Sequence, residues 1–567
     1  MVAQASGLCA PAGSRCHPLS LHMPRARSRL VACGAAVVSA LAFALYARVD
    51  WPWLVLGWVG LVPWLAVLDR AVTLRGAFSL GLLMCEAFVL AVFAWLPRAI
   101  QNYTGAPWIV ALGVVVLGAP LLQPQFITFS LVRRFAQARG FWCATFVGAC
   151  TYVGTEWAFP KLFADTLGHG LFASALLRQA ADLAGAHGLT FVLMVTNECA
   201  LATVRATNPE PSASLQHVGS SVVARGRAPS SPFLPAACIA ALVLGLLVYG
   251  AIRLHQFNYA TVPTDRVTVG VVQADITHYG ELAAQMGTYD AVRLILDTHI
   301  ALSNEALRRA PLDLLVWPET VYPTTFGAPK SADGAAFDRE IGAFAAGVGA
   351  PLVFGAYDGE DGQEFNAAFF LQPAADGRVT FETYRKAAPF PLTERVPALL
   401  DSAAVRRRLP WLGTWKAGNG GEVVALSLRD GRTLQVAPQI CYDVLFPRYT
   451  IAAVRRGAEI IVTLSNDSWF TFGNVPPLIL AISAFRSIET RRPQVRATNT
   501  GISAIITPTG EFLGTLGVNE HGTLVAAVTP QHSATTLMLA WSDWFCPTAL
   551  VMAGLLLVMQ LGARRSE

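Results

Sequence analysis

Uncharged apolar blocks recur along this chain, and several are too long for a helix of an ordinary globular core. About 20 apolar residues in a row match the thickness of a bilayer's hydrocarbon layer. Eight blocks read as spans: 30–47, 52–68, 77–96, 108–131, 141–159, 189–204, 234–252 and 546–561. The second and sixth are the shortest. The composition agrees: 54% of residues are hydrophobic, 14% are charged and the mean hydropathy is +0.46. These values exclude an ordinary soluble protein. The net charge of +5 is modest and no basic run is long enough for a nucleic-acid partner.

Arginine placement predicts the orientation. With eight spans, Arg25, Arg27 and Arg29, then Arg70 and Arg75, then Arg133, Arg134 and Arg139, then Arg205, Arg225 and Arg227, and finally Arg564 and Arg565 fall on one side. Both termini are therefore expected in the cytoplasm, with the long segment before the last span outside. Trp51, Trp53, Trp541 and Trp544 read as interfacial anchors. Residues 1–29 read as a charged cytoplasmic flank, with Met23 as an alternative start, and not as a cleavable signal peptide. Three carboxylates lie in or near spans: Glu86, Glu156 and Glu198. A carboxylate in hydrocarbon is costly, so each is expected to pack within the bundle, to serve function, or to reach interfacial water. Residues 206–231, rich in Ser, Pro, Ala and Arg, read as a flexible loop.

Between residues 258 and 534 the character changes. Strand-like runs at 267–273, 312–317, 351–355, 367–371, 379–384, 434–440, 459–464, 502–506 and 523–528 alternate with helical patterns at 289–309, 337–348 and 478–490. This alternation predicts a layered α/β domain.

Chemistry concentrates where three of these runs end. Val436-Ala-Pro-Gln-Ile-Cys-Tyr-Asp443 carries Cys441, the only cysteine between residues 256 and 545. It has no partner there for a disulfide or a cysteine metal site. The run 314–316 leads to Trp317-Pro-Glu319, and the run ending Thr383-Tyr-Arg-Lys386 leads to a loop with Glu394. Singly, these read as a core thiol, a loop carboxylate and a surface ammonium. Gathered in one crevice they form a reactive set. A thiol with an ordinary pKa of about 8.5 needs a base or a positive field to attack. Glu319 supplies the base, and Lys386 stabilises the thiolate and the oxyanion that follows attack on a carbonyl. The backbone N–H of Tyr442 is a second oxyanion donor. The chemistry needs no metal.

The ordered set Trp317-Pro-Glu319, Tyr384-Arg-Lys386, Glu394-Arg-Val-Pro397 and Cys441-Tyr-Asp443 resembles the nitrilase superfamily. With spans on both sides, it resembles the apolipoprotein N-acyltransferase family. Ser465-Asn-Asp-Ser-Trp-Phe470, the stretch 492–501 and the stretch 178–190 are further matches. The resemblance implies a catalytic triad of Glu319 (base), Lys386 (oxyanion stabiliser) and Cys441 (nucleophile), with Glu394, Tyr442 and Asp443 in support. It implies no cofactor and no metal. Asp443 stands where the family usually has glutamate, and is shorter by one methylene. The loop before Glu394 reads Pro389-Phe-Pro-Leu-Thr393, and the region after Phe470 reads Asn474-Val-Pro-Pro-Leu-Ile479, which offers no histidine.

The implied fold is an α-helical multi-span membrane domain plus an α/β nitrilase-like domain, an αββα sandwich, on the extracytoplasmic side. The expected division is a flank at 1–29, a membrane domain with seven spans at 30–257, a nitrilase-like domain at 258–534, and a last span with its tail at 535–567. The implied donor is a membrane phospholipid, and the implied acceptor is the amine of a diacylglyceryl-modified apolipoprotein N-terminus. The implied place is a bacterial inner membrane. Leu399, Leu400, Arg406–Arg408, Trp411, Trp415, Trp469 and Phe470 read as lipid-facing or as ordinary loop packing. Two other readings compete. A membrane-tethered nitrilase-like amidase would have the same triad, though eight spans exceed what a tether needs. A non-catalytic transporter or scaffold would not need all three of Glu319, Lys386 and Cys441.

Overall fold

The computed structural model describes residues 25–208, 231–258, 265–276, 279–374, 376–398, 400–409, 411–468 and 473–566. Most of the expected loop at 206–231, and Leu399, Trp469 and Phe470, lie outside them.

The apolar blocks fold into helices: α1 (Arg25–Tyr46), α2 (Leu56–Val59), α3 (Val62–Leu68), α4 (Leu74–Val92), α5 (Leu96–Thr104), α6 (Trp108–Leu122), α7 (Gln125–Ala136), α8 (Phe141–Ala158), α9 (Ala181–Thr207) and α10 (Phe233–Asn258). Five helices among the described residues are long and apolar enough to cross a membrane, or six if the bent pair α6–α7 is one span. These cover the first, third, fourth, sixth, seventh and eighth expected blocks. The second block is instead a series of short turns over Trp53–Leu68, interrupted near Gly60. The fifth, α8, is a full helix, but Glu156 and its hydroxyl and glycine residues dilute its apolar character. The α6–α7 bend of 43° falls at Pro124, which has no N–H to carry the helix across.

Buried charges inside this bundle are paired. At one end, Arg133 donates to Glu198 (2.7 Å) and Asp69 (2.5 Å), and Arg205 also pairs with Asp69. Glu156 accepts from Thr166 (2.6 Å), Gln125 (3.0 Å) and Lys161 (3.4 Å). Glu156 and Glu198 thus have packing partners, whereas Glu86 Oε2 has none among the described residues.

The α/β domain has thirteen strands among the described residues. They are β1 (Val267–Gln273), β2 (Leu314–Val316), β3 (Tyr322–Thr325), β4 (Leu352–Glu360), β5 (Gln363–Pro373), β6 (Val379–Arg385), β7 (Val424–Ser427), β8 (Thr433–Ile440), β9 (Ile460–Ser465), β10 (Gln494–Thr498), β11 (Ser503–Ile506), β12 (Phe512–Leu516) and β13 (Gly522–Val528). One sheet runs β13-β1-β2-β4-β5-β6, with β3 beside β4; the other runs β12-β11-β10-β9-β8-β7. Alternate residues explain the layering. Val267, Val269, Val271, Leu314 and Val316 face Val436, Ile440, Val462 and Val495 across the sheet–sheet core. The opposite face of the first sheet packs Val272, Leu315, Trp317 and Phe354 under helices that include Ile295, Phe337 and Ile341. The expected αββα sandwich is present.

The helices of this part are α11 (Tyr279–Met286), α12 (Thr288–Arg309), α13 (Ala332–Val348), α14 (Ala403–Arg408), α15 (Pro447–Arg455), α16 (Val475–Thr490), α17 (Leu537–Trp541) and α18 (Phe545–Ser566). The last of these returns to the bundle. The outer layer over the second sheet belongs to both parts of the molecule. Leu480, Ala484, Phe485 and Ile488 of α16 share one apolar core with Leu171, Leu189 and Leu193 of the bundle. Beside them, Arg491 donates to Asp182 (2.6 Å) and Gln179 (2.6 Å), and Asp182 also accepts from Tyr249 (2.6 Å) and Arg253 (2.7 Å). Arg178 and Gln179 bond to the Thr509 carbonyl at 3.1 and 2.9 Å. The stretch 178–190 is thus the seam between the two parts.

Arg491 is fully buried at that seam. Truncating one partner of a buried ion pair costs roughly 3–5 kcal/mol. Arg491→Ala is therefore expected to lower the melting temperature of the detergent-solubilised protein clearly, as read by scanning fluorimetry. An unchanged transition would show that the seam does not hold the two parts together.

Candidate active site

The candidate site residues follow strands that end on shared edges. β1, β2 and β4 run parallel, and β6 returns parallel to β4 through the antiparallel β5. Glu319 after β2 and Lys386 after β6 therefore leave the same edge of the first sheet. β8 and β9 are parallel in the second sheet, and Cys441 and Asn466 follow them directly. Pro438 is tolerated in β8 because β7, whose first residue Val424 pairs with Val436, has already ended beside it.

Lys386 is 1% exposed. Its Nζ donates to Glu394 Oε1 (2.8 Å) and Glu319 Oε1 (3.1 Å). Asn366 Nδ2 bonds to the same two oxygens, at 2.7 Å for Glu319 and 3.2 Å for Glu394. The Asn466 N–H holds Glu319 Oε2 (2.8 Å), and the Phe390 N–H holds Glu394 Oε2 (2.6 Å). Burial alone would lower the Lys386 pKa, but Glu319, Glu394 and the Cys441 sulfur hold it well above its ordinary value. Burial raises the Glu319 pKa and Glu394 adds to that, against Lys386. A carboxylate so raised is a better proton acceptor. At Gly355 the β4 backbone passes so close to Glu319 and Thr320 that a Cβ would strike them.

Cys441 sits at φ +47°, a left-handed conformation rare for a side chain other than Asn or Asp. Asp443 holds this turn. Its Oδ2 accepts from Ile440 N–H (3.0 Å) and Tyr384 O–H (2.9 Å), and its Oδ1 from Ala388 N–H (2.7 Å). One buried carboxylate therefore ties the Cys441 turn to the segment that carries Lys386, and burial lifts its pKa to about 6. The aspartate reaches everything it needs despite the missing methylene. Tyr442 bonds to the Leu162 carbonyl of the membrane part and packs on Phe390 at 5.0 Å. The loop that bears Glu394 meets the membrane part too: Tyr103 O–H donates to the Thr393 and Trp411 carbonyls at 3.3 and 3.2 Å. Trp415 packs on Tyr357 at 4.9 Å, Arg406 pairs with Asp401 at 2.6 Å, and Leu400 is exposed.

Cys441 opens on a cleft between the two parts of the molecule. One wall belongs to the α/β domain, with Phe390, Tyr442, Ser465, Asp467 and Leu478. The other belongs to the membrane part, with Ala47, Val92, Phe93, Trp95, Phe163 and Asp165.

Two family models match the chain: an apolipoprotein N-acyltransferase N-terminal domain over residues 35–199 and a carbon-nitrogen hydrolase over 268–536. The apolipoprotein N-acyltransferase of Geobacter metallireducens is 28% identical over 81% of this chain and 82% of its own. That of Bdellovibrio bacteriovorus is 27% identical over 87% of each. The chain belongs to the apolipoprotein N-acyltransferase family. Among solved structures, an amidase from Nesterenkonia sp. aligns with 47% of this chain and 90% of its own, at 23% identity and a TM-score of 0.31.

In this apolipoprotein N-acyltransferase family member, all six expected site residues lie in one connected region: Glu319, Lys386, Glu394, Cys441, Tyr442 and Asp443. Sequence reasoning missed Asn366, which lies inside a buried strand with no local signal. It also missed Asp467, although the Ser465-Asn-Asp motif contains it. Asp467 accepts from Arg496 (2.7 Å) and Ser465 (2.5 Å) at the cleft wall.

Burial and the Glu319 charge push the Cys441 thiol far above its ordinary pKa, against Lys386. Below a raised pKa the thiolate fraction grows roughly tenfold per pH unit. Iodoacetamide labelling of Cys441, followed by peptide mass spectrometry, is expected to accelerate without a plateau up to about pH 9. A plateau below neutral pH would mean a stable resting thiolate instead.

Proposed function

We propose that this chain takes an acyl group from a membrane phospholipid onto Cys441 and passes it to the α-amine of a diacylglyceryl-cysteine at an apolipoprotein N-terminus. The observation that carries this reading is the cleft at Cys441, to whose wall the membrane domain contributes the apolar side chains Ala47, Val92, Phe93, Trp95 and Phe163. A small-amide hydrolase has no use for that wall.

Glu319 takes the Cys441 proton as sulfur attacks the ester carbonyl. Lys386 Nζ and the Tyr442 N–H face the oxyanion. Collapse breaks the ester C–O bond, and Glu319 returns the proton to the departing lysophospholipid alkoxide. The thioester then meets the acceptor amine, the C–N bond forms, the C–S bond breaks, and Cys441 recovers a proton through Glu319. Glu394 holds Lys386, Asp443 holds the turn at Cys441, and Tyr442 fastens that turn to the membrane part.

The eight-span reading accommodates this arrangement, with the Trp53–Leu68 turns and α8 completing the bundle. The α9 helix runs from Asp182, at the seam with the α/β domain, to Arg205, which joins Arg133 and Asp69. It kinks at Ala184 and Gly185, and the helix beyond the kink, on to Thr207, spans about 30 Å. The arginine cluster therefore lies at the end of the bundle away from the α/β domain. Arginine-rich ends face the cytoplasm, which supports an α/β domain on the periplasmic side of a bacterial inner membrane.

Incubation with phospholipid carrying a labelled acyl chain is expected to give a hydroxylamine-labile label on the Cys441 peptide and free lysophospholipid. Cys441→Ala should carry no label, and Glu319→Gln should acylate roughly 10²–10⁴-fold more slowly. An unlabelled Cys441, or a labelled Cys441→Ala protein, would overturn the proposal.

A further inference from the structure

The second half of the proposed reaction brings a cation into the cleft. An α-amine has a pKa near 8, so the acceptor arrives mostly as an ammonium. It enters beside Cys441, where Lys386 is already positive, and among Phe93, Trp95, Phe163 and Phe390, whose rings carry no counter-charge. A cation entering such a place requires an anion to receive it.

The carboxylates of the region divide by what they already hold. Glu319 and Glu394 hold Lys386. Asp443 is filled by Tyr384, Ile440 and Ala388. Asp467 is paired with Arg496 and Ser465. Asp165 lines the same cleft from the membrane side. Its Oδ1 is buried and accepts no hydrogen bond among the described residues. Lys161 Nζ forms an ion pair with that oxygen at 3.5 Å without a hydrogen bond, and donates to the Asp165 backbone carbonyl at 2.7 Å and to Glu156 at 3.4 Å. The loop that carries Asp165 is fixed against the nucleophile, because Tyr442 bonds to the Leu162 carbonyl and Phe163 packs on Phe390 at 6.0 Å. A carboxylate with an oxygen to spare is thus held at a set position on the wall opposite Cys441.

We infer that Asp165 is the binding residue for the acceptor's N-terminal ammonium, so that the membrane domain supplies the anion that selects an amine over water or an alcohol. The inference rests on the acyl-transfer reading. The ammonium docks at Asp165 and loses one proton to solvent. The neutral nitrogen attacks the thioester carbonyl, and the amide forms as the C–S bond breaks. A second nitrogen proton passes through Glu319 to the Cys441 sulfur, so one proton is released per amide made. Asp165 binds and orients but takes no part in the bond changes.

The test separates the half-reactions of the full-length protein in detergent micelles. Asp165→Asn is expected to form the Cys441 thioester from labelled phospholipid at the unmodified rate. It should raise the KM for a diacylglyceryl-cysteine peptide roughly tenfold or more, because a charge-assisted contact is lost. Asp165→Glu should restore part of that loss. Hydroxylamine, a nucleophile neutral at pH 7, should clear the thioester from Asp165→Asn and the unmodified protein equally fast. Peptide transfer at an unchanged KM, or thioester formation and hydroxylamine clearance falling together with peptide transfer, would overturn the assignment. A failure of the unmodified protein to form any thioester would overturn the acyl-transfer reading and this inference with it.

Discussion

Lys386 carries an ammonium into a part of the molecule that water does not reach. An isolated buried ion is strongly unfavourable, so the position is tenable only because Glu319 and Glu394 both contact it. Those carboxylates are fixed in turn. Asn366 bonds to both, and the backbone N–H groups of Asn466 and Phe390 take one oxygen each. Moving any member leaves a buried charge without its partner. The site is therefore rigid for an electrostatic reason, and its acid–base properties come from the same burial. Burial raises the Glu319 pKa, while Glu319 and Glu394 hold that of Lys386 well above its ordinary value.

Cys441 is fixed by a different device. A left-handed residue at the end of a strand is unfavourable unless its surroundings impose it. Asp443 imposes it with three hydrogen bonds that reach Ile440 on one side and Tyr384 and Ala388 on the other. The thiol and the ammonium are thus set relative to each other by one buried side chain. Tyr442 extends the arrangement to the membrane part through Leu162.

The two parts of the chain share an apolar core through α16 and a buried ionic seam at Arg491 and Asp182. They do not behave as a soluble enzyme on an anchor. The cleft lies where they meet, so its shape depends on the seam as much as on the catalytic loops. A bundle that only tethered the domain would have no reason to supply Phe93, Trp95, Phe163 and Asp165 to the wall beside Cys441.

Much of this was legible in the sequence. Apolar blocks separated from a strand-and-helix segment predicted two parts, because hydropathy and side-chain period are local properties. The strands at 267–273 and 434–440 were visible for that reason, as were the residues that follow strand ends. Strands with weaker patterns, such as Gln494–Thr498 and Phe512–Leu516, were missed, since their partners in the sheet decide them more than their own residues do. The broken second block was also missed, because apolar composition does not report whether a helix continues through a glycine. The sequence alone singled out the side chains that the fold gathers at the candidate site: a thiol, an ammonium and carboxylates at the ends of predicted strands. Only the tertiary structure decided that Asn366 bridges two carboxylates, that Asp443 spans the gap despite its shorter arm, and that a membrane-domain loop closes the cleft. Each of those is a contact between residues far apart in the chain, and distance in space is not written in local composition.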